Sequence, residues 1–245
     1  GCVGVAASGT VTAHALPRVL VNSPEVCAGA TATLSATPGS TGSYHYIWTV
    51  PSGAANPGNV STFNPTVAGV YTVYIRDTVT GCESSVATGT VILNGQITVG
   101  VTSTTECLGV LSTVTATPSS PGTYTYTWTV PSGATAPGNV SSFTTGISGV
   151  YGVIITDSVT GCVSTAVTTT VQFNPNPTVT VNSPTACFVV GATVTATPGT
   201  AGSYDYSWTV PSGATAPGNV SSFTTTTAGT YSVIITNTVT NCVSA

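Results

Sequence analysis

The stretch Tyr46-Ile47-Trp48-Thr49-Val50-Pro51-Ser52-Gly53-Ala54 decides the fold, and its Tyr-x-Trp-Thr-Val-Pro-Ser-Gly-Ala pattern returns at residues 126–134 and 206–214. A repeat of 80 residues with a single tryptophan is a domain rather than a turn of a solenoid. The alternation Tyr-x-Trp-x-Val places large apolar groups on one face of a half-buried strand. The pattern therefore predicts one core tryptophan in each repeat: Trp48, Trp128 and Trp208.

The composition excludes several classes of function. Only 3% of the 245 residues are charged, against about a quarter in an ordinary domain. The chain has no lysine, and Arg18 and Arg76 are its only basic residues besides histidine, so no basic patch exists and nucleic-acid binding is excluded. No apolar run approaches the length of a membrane span, which predicts no membrane insertion. A neutral, Thr-rich β surface predicts either glycan cover or packing into an assembly.

Short runs of Val, Thr, Tyr and Ile alternate with Pro, Gly, Asn and Ser turns, which is typical of an all-β protein. In the first full repeat, we predict strand A at residues 18–21, B at 30–37, C at 44–50, E at 60–64, F at 70–77 and G at 83–93. A short C′ segment is expected after Pro51-Ser52-Gly53. About seven strands per 80-residue repeat, with a tryptophan in strand C, predict tandem immunoglobulin-like β-sandwiches.

A tyrosine lies two residues after a glycine at the start of each predicted strand F, which is the place of a tyrosine corner. These core candidates are Tyr71, Tyr151 and Tyr231. Two residues later, where antibody domains have a cysteine, the first repeat has Val73, and its predicted partner in strand B is Ala36. The sequence therefore predicts that plain packing around the tryptophan replaces the central disulfide.

The repeat frame predicts immunoglobulin-like domains at residues 16–95, 96–175 and 176–245, the last without its strand G. Residues 1–15 match the strand G of a repeat, but the other strands of that repeat do not precede them in the sequence. Two explanations stay open: the sequence is a window of a longer array, or residues 1–15 complete the third domain of another copy by strand addition. In the second case we expect Val11 and Ala13 beside residues 231–235, as Val91-x-Leu93 would lie beside residues 71–75.

Four motifs carry a resemblance to a known group of proteins. They are Val26-Cys27-Ala28-Gly29, Tyr46-x-Trp48, Ala68-Gly69-Val70-Tyr71-x-Val73 and Asp77-x-x-x-Gly81-Cys82. Together they resemble the immunoglobulin-like and PKD-like repeats of secreted Bacteroidota surface proteins, including gliding-motility adhesins and other cargo of type IX secretion. The resemblance implies a secreted, extracellular or cell-surface fibre, stalk or adhesin shaft whose partners are copies of itself, with no catalytic residue. The alternative function is a glycan-binding or adhesive module, with surface glycans as partners.

The chain has seven cysteines, and all of them fit the same 80-residue repeat frame. This number of cysteines predicts an oxidising compartment. Metal and cofactor sites are not expected, because the sequence has no Cys-x-x-Cys and no nearby histidine pair. Co-occurrence of the two cysteine motifs in the resembling repeats implies bonds within each domain: Cys27–Cys82, Cys107–Cys162 and Cys187–Cys242.

Strand direction favours a different set of disulfides. If strands B and F run the same way, Cys27 and Cys82 lie at opposite poles, about 30 Å apart, which predicts the interdomain bonds Cys27–Cys162 and Cys107–Cys242. If C′ is absent, strand F is expected to reverse, and the bond within each domain becomes the natural one. Both pairings stay open at this point.

Two copies of the turn between strands F and G match the O-glycosylation acceptor pattern of the resembling proteins, which implies glycans on Thr78 and Ser158. The third copy begins with Asn237 and departs from the pattern. The alternative is that Asp77 and its equivalents only form an Asx turn. The Asn-Val-Ser sequons at 59–61, 139–141 and 219–221 are interpreted as loops entering strand E. His14 and His45 have no partner acid or nucleophile, so no enzyme is predicted.

Overall fold

The computed structural model describes residues 2–187 and 189–245. Its contacts divide the chain into two compact units. Unit 1 comprises residues 1–97 and 156–164, and unit 2 comprises residues 98–155 and 165–245. All regular structure in the described residues is β-strand, as predicted.

Unit 1 contains the first repeat as two sheets, ordered β1-β3-β5 and β2-β7-β6-β4. Neighbouring strands are antiparallel, except that β2 runs parallel to β7. This strand order confirms the immunoglobulin-like sandwich. The strands are β1 Val19–Val21, β2 Glu25–Val26, β3 Leu34–Pro38, β4 Tyr44–Thr49, β5 Thr62–Phe63, β6 Gly69–Asp77 and β7 Ala87–Leu93.

Unit 2 repeats this arrangement in the sheets β12-β10-β8, β11-β13-β14, β15-β9, β16-β17-β19 and β18-β20. Within the described residues β20 has one sheet partner, β18, whereas β13 pairs with both β11 and β14. The strands are β8 Val99–Ser103, β9 Glu106–Cys107, β10 Ser112–Pro118, β11 Tyr124–Thr129, β12 Ser142–Thr145, β13 Gly149–Asp157, β14 Val167–Val171, β15 Phe173–Asn174, β16 Val179–Val181, β17 Ala192–Pro198, β18 Tyr204–Thr209, β19 Ser222–Thr225 and β20 Ser232–Asn237.

Each core is built around a tryptophan, a phenylalanine and a tyrosine. Trp48 is 4% exposed and meets the ring of Phe63 edge-on, with the ring centroids 5.0 Å apart. Phe63 contacts Tyr71, whose hydroxyl donates to the backbone oxygen of Val67 at 2.8 Å and so forms the tyrosine corner. The other two repeats contain the same trio: Trp128, Phe143 and Tyr151, then Trp208, Phe223 and Tyr231. In these two repeats Trp128 and Trp208 are half-buried.

The segment between β4 and β5 replaces the expected C′ strand. The Asn59 side-chain oxygen accepts the Tyr46 backbone N–H at 2.8 Å, and the Trp48 indole N–H donates to the Val60 carbonyl at 2.9 Å. The equivalent bonds recur in the other two repeats. There the side-chain oxygens of Asn139 and Asn219 accept backbone N–H groups, and both other indoles donate to backbone carbonyls. Side chains thus hold this crossover segment, residues 50–61, against β4 without a ladder of backbone bonds.

The crossover segment corrects the expectation that strand F reverses when C′ is absent. Because residues 50–61 run back along β4, the chain enters β5 at the end of the sandwich where β4 began. Strand β6 therefore remains antiparallel to β4, with Tyr44 opposite Asp77 and Thr49 opposite Thr72. Since β3 is antiparallel to β5 and β6 follows β5 by a corner, β3 and β6 run in the same direction.

The expected register of strand G is also wrong. Val91 lies opposite Gly69, and Ala87 lies opposite Val73, so Val91-x-Leu93 does not lie beside residues 71–75. Pairing between these strands starts at the turn itself, with a bridge from Arg76 to Glu83. One extra residue on the second strand before Ala87 then forms a bulge. Strand β7 therefore covers the first half of β6.

We predict that Trp48→Ala lowers the free energy of unfolding of the first repeat by about 3–5 kcal/mol, because it removes a buried indole. Trp48→Phe keeps a ring but loses the bond to the crossover segment, and should cost about 1 kcal/mol. Denaturant melts followed by circular dichroism measure both changes. The exposed neighbour Thr49→Ala is the matched control. Equal stability of the alanine variant and the parent would contradict this account of the core.

Candidate functional site at the cysteine-bearing turns

Two disulfides join successive repeats at equivalent positions. Cys27 is bonded to Cys162 in unit 1, and Cys107 is bonded to Cys242 in unit 2. In each bond the Cα atoms are 5.5 Å apart and the sequence separation is 135 residues. Each bond links the turn before strand B of one repeat to the F–G turn of the next repeat. We call these bonds the inter-repeat disulfides.

Strand direction explains why the alternative bonds, within each repeat, are not formed. Cys27 follows β2, where Val26 pairs with Leu93, and so lies near the Gly69 end of β6. Cys82 follows the opposite end of the same strand. The nine residues of β6 extend about 30 Å, whereas a disulfide requires Cα atoms about 4.4–6.8 Å apart. Cys27–Cys82, Cys107–Cys162 and Cys187–Cys242 are therefore not present in the structure.

The F–G turn that presents Cys162 is fixed by an aspartate. One Asp157 carboxylate oxygen accepts the backbone N–H groups of Val159 at 2.8 Å and Thr160 at 2.9 Å. The Thr160 hydroxyl accepts the Cys162 N–H at 3.3 Å, and the Asp157 N–H donates to the Cys162 carbonyl at 2.8 Å. The turns that begin at Asp77 and Asn237 contain the same bonds. These are Asx turns that hold the cysteine in a defined position.

The same bonds act on the aspartate charges. Backbone N–H groups of Thr80 and Val79 hold the pKa of Asp77 below its usual range, and those of Thr160 and Val159 do the same for Asp157. Both effects arise because the N–H donors stabilise the ionised carboxylate. Asn237 makes the equivalent bonds with a neutral amide oxygen. The turn therefore needs an acceptor oxygen at this position rather than a charge.

The opposite half of each inter-repeat disulfide also lies on a tight turn. The Cys27 carbonyl accepts the Ala30 N–H at 3.0 Å, and the Cys107 carbonyl accepts the Val110 N–H at 3.0 Å. Gly29 supplies the positive φ of +84° that the first of these turns requires. Among the described residues, three cysteines carry free thiols: Cys2, Cys82 and Cys187.

The third repeat has an open side next to Cys187. A groove of about 500 Å³ is lined by residues 182–187 and 225–231. In the first repeat β7 fills the equivalent space, where the Thr90 N–H donates to the Ser23 hydroxyl at 3.1 Å and the Ile92 N–H donates to the Pro24 carbonyl at 3.0 Å. Tyr231 is half-buried, whereas its equivalents Tyr71 and Tyr151 are fully buried.

The remaining predicted residues do not form a second site. The Trp48 indole N–H is used by the crossover segment, which leaves no free donor on the ring for a sugar. His14 lies in the exposed segment of residues 2–16, which has no strand, and His45 lies opposite Arg76 on the outer face. No group of metal-ligating side chains occurs within residues 2–187 and 189–245. The same residues include no helix long and apolar enough to cross a membrane.

The two glycosylation candidates lie on the exposed surface of the F–G turns. Both Thr78 and Ser158 are exposed. The Thr78 hydroxyl donates to the Ser43 carbonyl at 3.1 Å.

No protein-family model matches the sequence, and no curated protein matches it. The fold is similar to solved chains of tandem immunoglobulin domains. An I-band fragment of titin aligns over 95% of this chain and 98% of its own length, at 13% identity and a TM-score of 0.44.

Two longer solved chains show similar values. The N-terminal eight Ig domains of the Down syndrome cell adhesion molecule align over 84% of this chain at 12% identity and a TM-score of 0.47. Sidekick-1 immunoglobulin domains 1–4 align over 64% at 13% identity and a TM-score of 0.37. This chain covers 30% and 48% of their respective lengths. The immunoglobulin-like assignment rests on the strand order and the tryptophan cores.

We predict that the double variant Asp77→Asn/Asp157→Asn keeps its turns and loses part of the acid sensitivity of the parent. The folded-state pKa of each carboxyl lies below its unfolded value. The stabilisation is therefore present above about pH 4 and is lost as the pH falls through the folded pKa. Denaturant melts at about pH 7 and about pH 3 measure the difference. Asp157→Ala, which removes the acceptor oxygen, should be less stable at both pH values. An unchanged acid dependence in the asparagine variant would count against the turn assignment.

Proposed function

We propose that this chain is a structural segment of an extracellular fibre, stalk or adhesin shaft. The observation that supports the proposal most strongly is the pair of inter-repeat disulfides, Cys27–Cys162 and Cys107–Cys242. Each bond occupies the same place in the repeat, so the connection can continue unchanged along an array. A covalent bond between neighbouring repeats limits the separation of those repeats under load, which is a mechanical role rather than a chemical one.

The proposed location is secreted, extracellular or at the cell surface. Disulfides persist in oxidising environments and are rare in the cytosol. The four quoted motifs support a surface protein of the Bacteroidota gliding-adhesin type, exported as type IX secretion cargo. The near absence of charged side chains fits a surface that is covered by glycan or by other copies of the chain.

A non-enzymatic role fits the placement of the titratable groups. Asp77 and Asp157 are engaged by their own turns, and His45 has Asn59 as its side-chain neighbour at 3.5 Å. Glycan binding through the tryptophans was the alternative function. Trp48 is buried, and all three indole N–H groups donate to the carbonyl oxygens of crossover segments. This arrangement favours the shaft over the glycan-binding module.

Self-association by strand exchange is the second part of the proposal. The exposed segment of residues 2–16 repeats the sequence frame of β7 and β14, and the third repeat has an unfilled groove beside β20. Carrying over the observed register of β7 places Val11 opposite Gly229 and Ala7 opposite Val233 of a second copy. Val11 would then occupy the place of Val91, which is 1% exposed. Burial of this side chain would close the core around Tyr231.

We predict that Val11→Asp prevents self-association of the 245-residue chain, because it puts an unpaired charge into an apolar groove. Sedimentation velocity should show monomers where the parent shows larger species. Val5→Asp is the matched control, because its equivalent Ser85 is exposed and the variant should assemble as the parent does. Equal assembly of the two variants would contradict the register.

A denaturing gel of reduced native material separates strand exchange from a continuous array. Strand exchange predicts a band near 24.2 kDa. A far larger single band would show that strand G is supplied by the same chain, which would remove strand exchange from the proposal and leave the shaft.

We also predict glycan on Thr78 and Ser158 in native material, because both side chains are exposed on turns of the same shape. Peptide mass spectrometry should show hexose-sized increments on the peptides that contain these residues. The control is Thr238, which follows Asn237 and should be bare. Unmodified peptides at both Thr78 and Ser158 would end this part of the proposal.

A further inference from the structure

We propose that the first repeat binds a neutral sugar ring of a surface glycan in a groove on the outer face of β4 and β6. The site adds ligand recognition to the proposed shaft, and it depends neither on strand exchange nor on the disulfides. Trp48 is buried on the opposite face of the same sheet, so the site is separate from the tryptophan cores. We call it the outer groove. Its volume is about 360 Å³, and its lining includes His45, Ile47, Tyr74, Arg76, Asp77 and Glu83.

The outer groove contains an unusual share of the charged and histidine side chains of this protein. The whole sequence has two arginines, six acidic residues and two histidines. Four of these side chains, those of His45, Arg76, Asp77 and Glu83, line this one groove. A few polar groups that converge on an apolar floor are typical of a small-molecule site. The groove therefore differs from the nearly uncharged surface around it.

Strand pairing places the polar side chains in one row. Tyr74 and Arg76 alternate with the core residues of β6, so they lie on the outer face. His45 lies opposite Arg76, and Ile47 lies opposite Tyr74. On the other side of β6, Arg76 forms a bridge with Glu83. Because neighbouring strands are about 4.8 Å apart, one small ligand can reach all three polar side chains of the row.

The other two repeats show that the fold does not require these residues. The tryptophan of strand C and the tyrosine of strand F recur in every repeat, whereas the lining of the outer groove does not. The equivalents are Thr156 and Thr236 for Arg76, Ile154 and Ile234 for Tyr74, and Val163 and Val243 for Glu83. The same sandwich forms with each set, so the residues of the outer groove are available for a role other than folding.

The polar groups of the outer groove fit a ligand that both donates and accepts hydrogen bonds. The Arg76 guanidinium has only donors, and the Glu83 carboxylate has only acceptors. Both side chains are exposed. A sugar hydroxyl can accept from the first and donate to the second. The Nδ1 atom of His45 lies 3.5 Å from the side-chain nitrogen of Asn59, which leaves Nε2 for a further hydroxyl.

Tyr74 and Ile47 form the apolar floor of the outer groove. Both side chains are half-buried, so part of each remains accessible to a ligand. The face of an aromatic ring is a large apolar surface, against which the C–H groups of a pyranose ring can pack. The volume lies at the lower end of the range of about 300–1,000 Å³ for small-molecule sites. It therefore fits a single sugar ring better than a long segment of glycan.

The charges of the outer groove favour a neutral sugar over an acidic one. Near neutral pH, Arg76 carries one positive charge, whereas Asp77 and Glu83 each carry a negative charge. A carboxylate or sulfate on the ligand would meet this excess of negative charge. Neutral hydroxyls instead form charge-assisted hydrogen bonds with groups of either sign. The class of ligand is therefore a neutral pyranose.

NMR spectroscopy of the isotope-labelled 245-residue chain tests this site directly. The chain is produced without glycan, so that Thr78, which also lines the groove, is bare. Since Arg18 and Arg76 are its two arginines, each gives one side-chain Nε–H signal. The probes are the α and β methyl glycosides of glucose, galactose and mannose, with methyl glucuronide as the acidic counterpart. At least one neutral glycoside should shift the Arg76 signal in a saturable way and leave the Arg18 and indole N–H signals in place.

Matched variants take the residues that the other repeats have at the same places, so they should fold as the parent does. Arg76→Thr and Tyr74→Ile should each weaken the binding of that glycoside at least about tenfold, as measured by saturation transfer to the ligand protons. Arg18→Thr removes the same charge outside the outer groove and should bind as the parent does. Thermal melts followed by circular dichroism check that all three variants are folded.

Three results would contradict the proposal. A shift of the Arg76 signal with methyl glucuronide and with none of the neutral glycosides would overturn the neutral class of ligand. No shift with any probe would overturn the site. Equal binding by folded Arg76→Thr and the parent would do the same. Each of these results would leave the inter-repeat disulfides and the proposed shaft unaffected, because they do not depend on the outer groove.

Discussion

The direction of the sixth strand in the first repeat decides which cysteines can meet. The crossover segment fixes that direction, because Asn59 and the Trp48 indole hold it against β4 until the chain returns to the end where β4 began. Strand β6 then runs from the pole of Cys27 to the pole of Cys82. The two thiols are therefore about 30 Å apart. A disulfide at either pole requires a cysteine from another repeat.

The inter-repeat disulfides occur in a protein that has very few charged residues. With 3% charged residues, surface ion pairs contribute little, and each small sandwich depends on its apolar core and its covalent links. A disulfide across 135 residues stabilises the folded chain by up to about 5 kcal/mol in the chain-entropy estimate. In the proposed shaft, the same two bonds would supply both stability and mechanical continuity.

Much of the fold could be predicted from the sequence, because the residues that define its strands lie close together in the chain. The alternation around Trp48 defines strand C, and the Gly69-Val70 pair before Tyr71 defines the start of strand F. The register of strand G could not be predicted, because it depends on a bulge of one residue after the Arg76–Glu83 bridge. The role of Asn59 was also missed. Its sequon is interpreted from the sequence only as a loop entering strand E, whereas its recurrence 11 residues after each tryptophan is the signal of a structural bond.

The central claim is that the disulfides join adjacent repeats, and the most direct test is to map them. The chain is produced in an oxidising compartment, its free thiols are alkylated, and it is digested with chymotrypsin without reduction. Mass spectrometry should find a peptide with Cys27 linked to one with Cys162, and a peptide with Cys107 linked to one with Cys242. Linked peptides that join Cys27 to Cys82 or Cys107 to Cys162 would contradict the account, because they require strand F to run the other way.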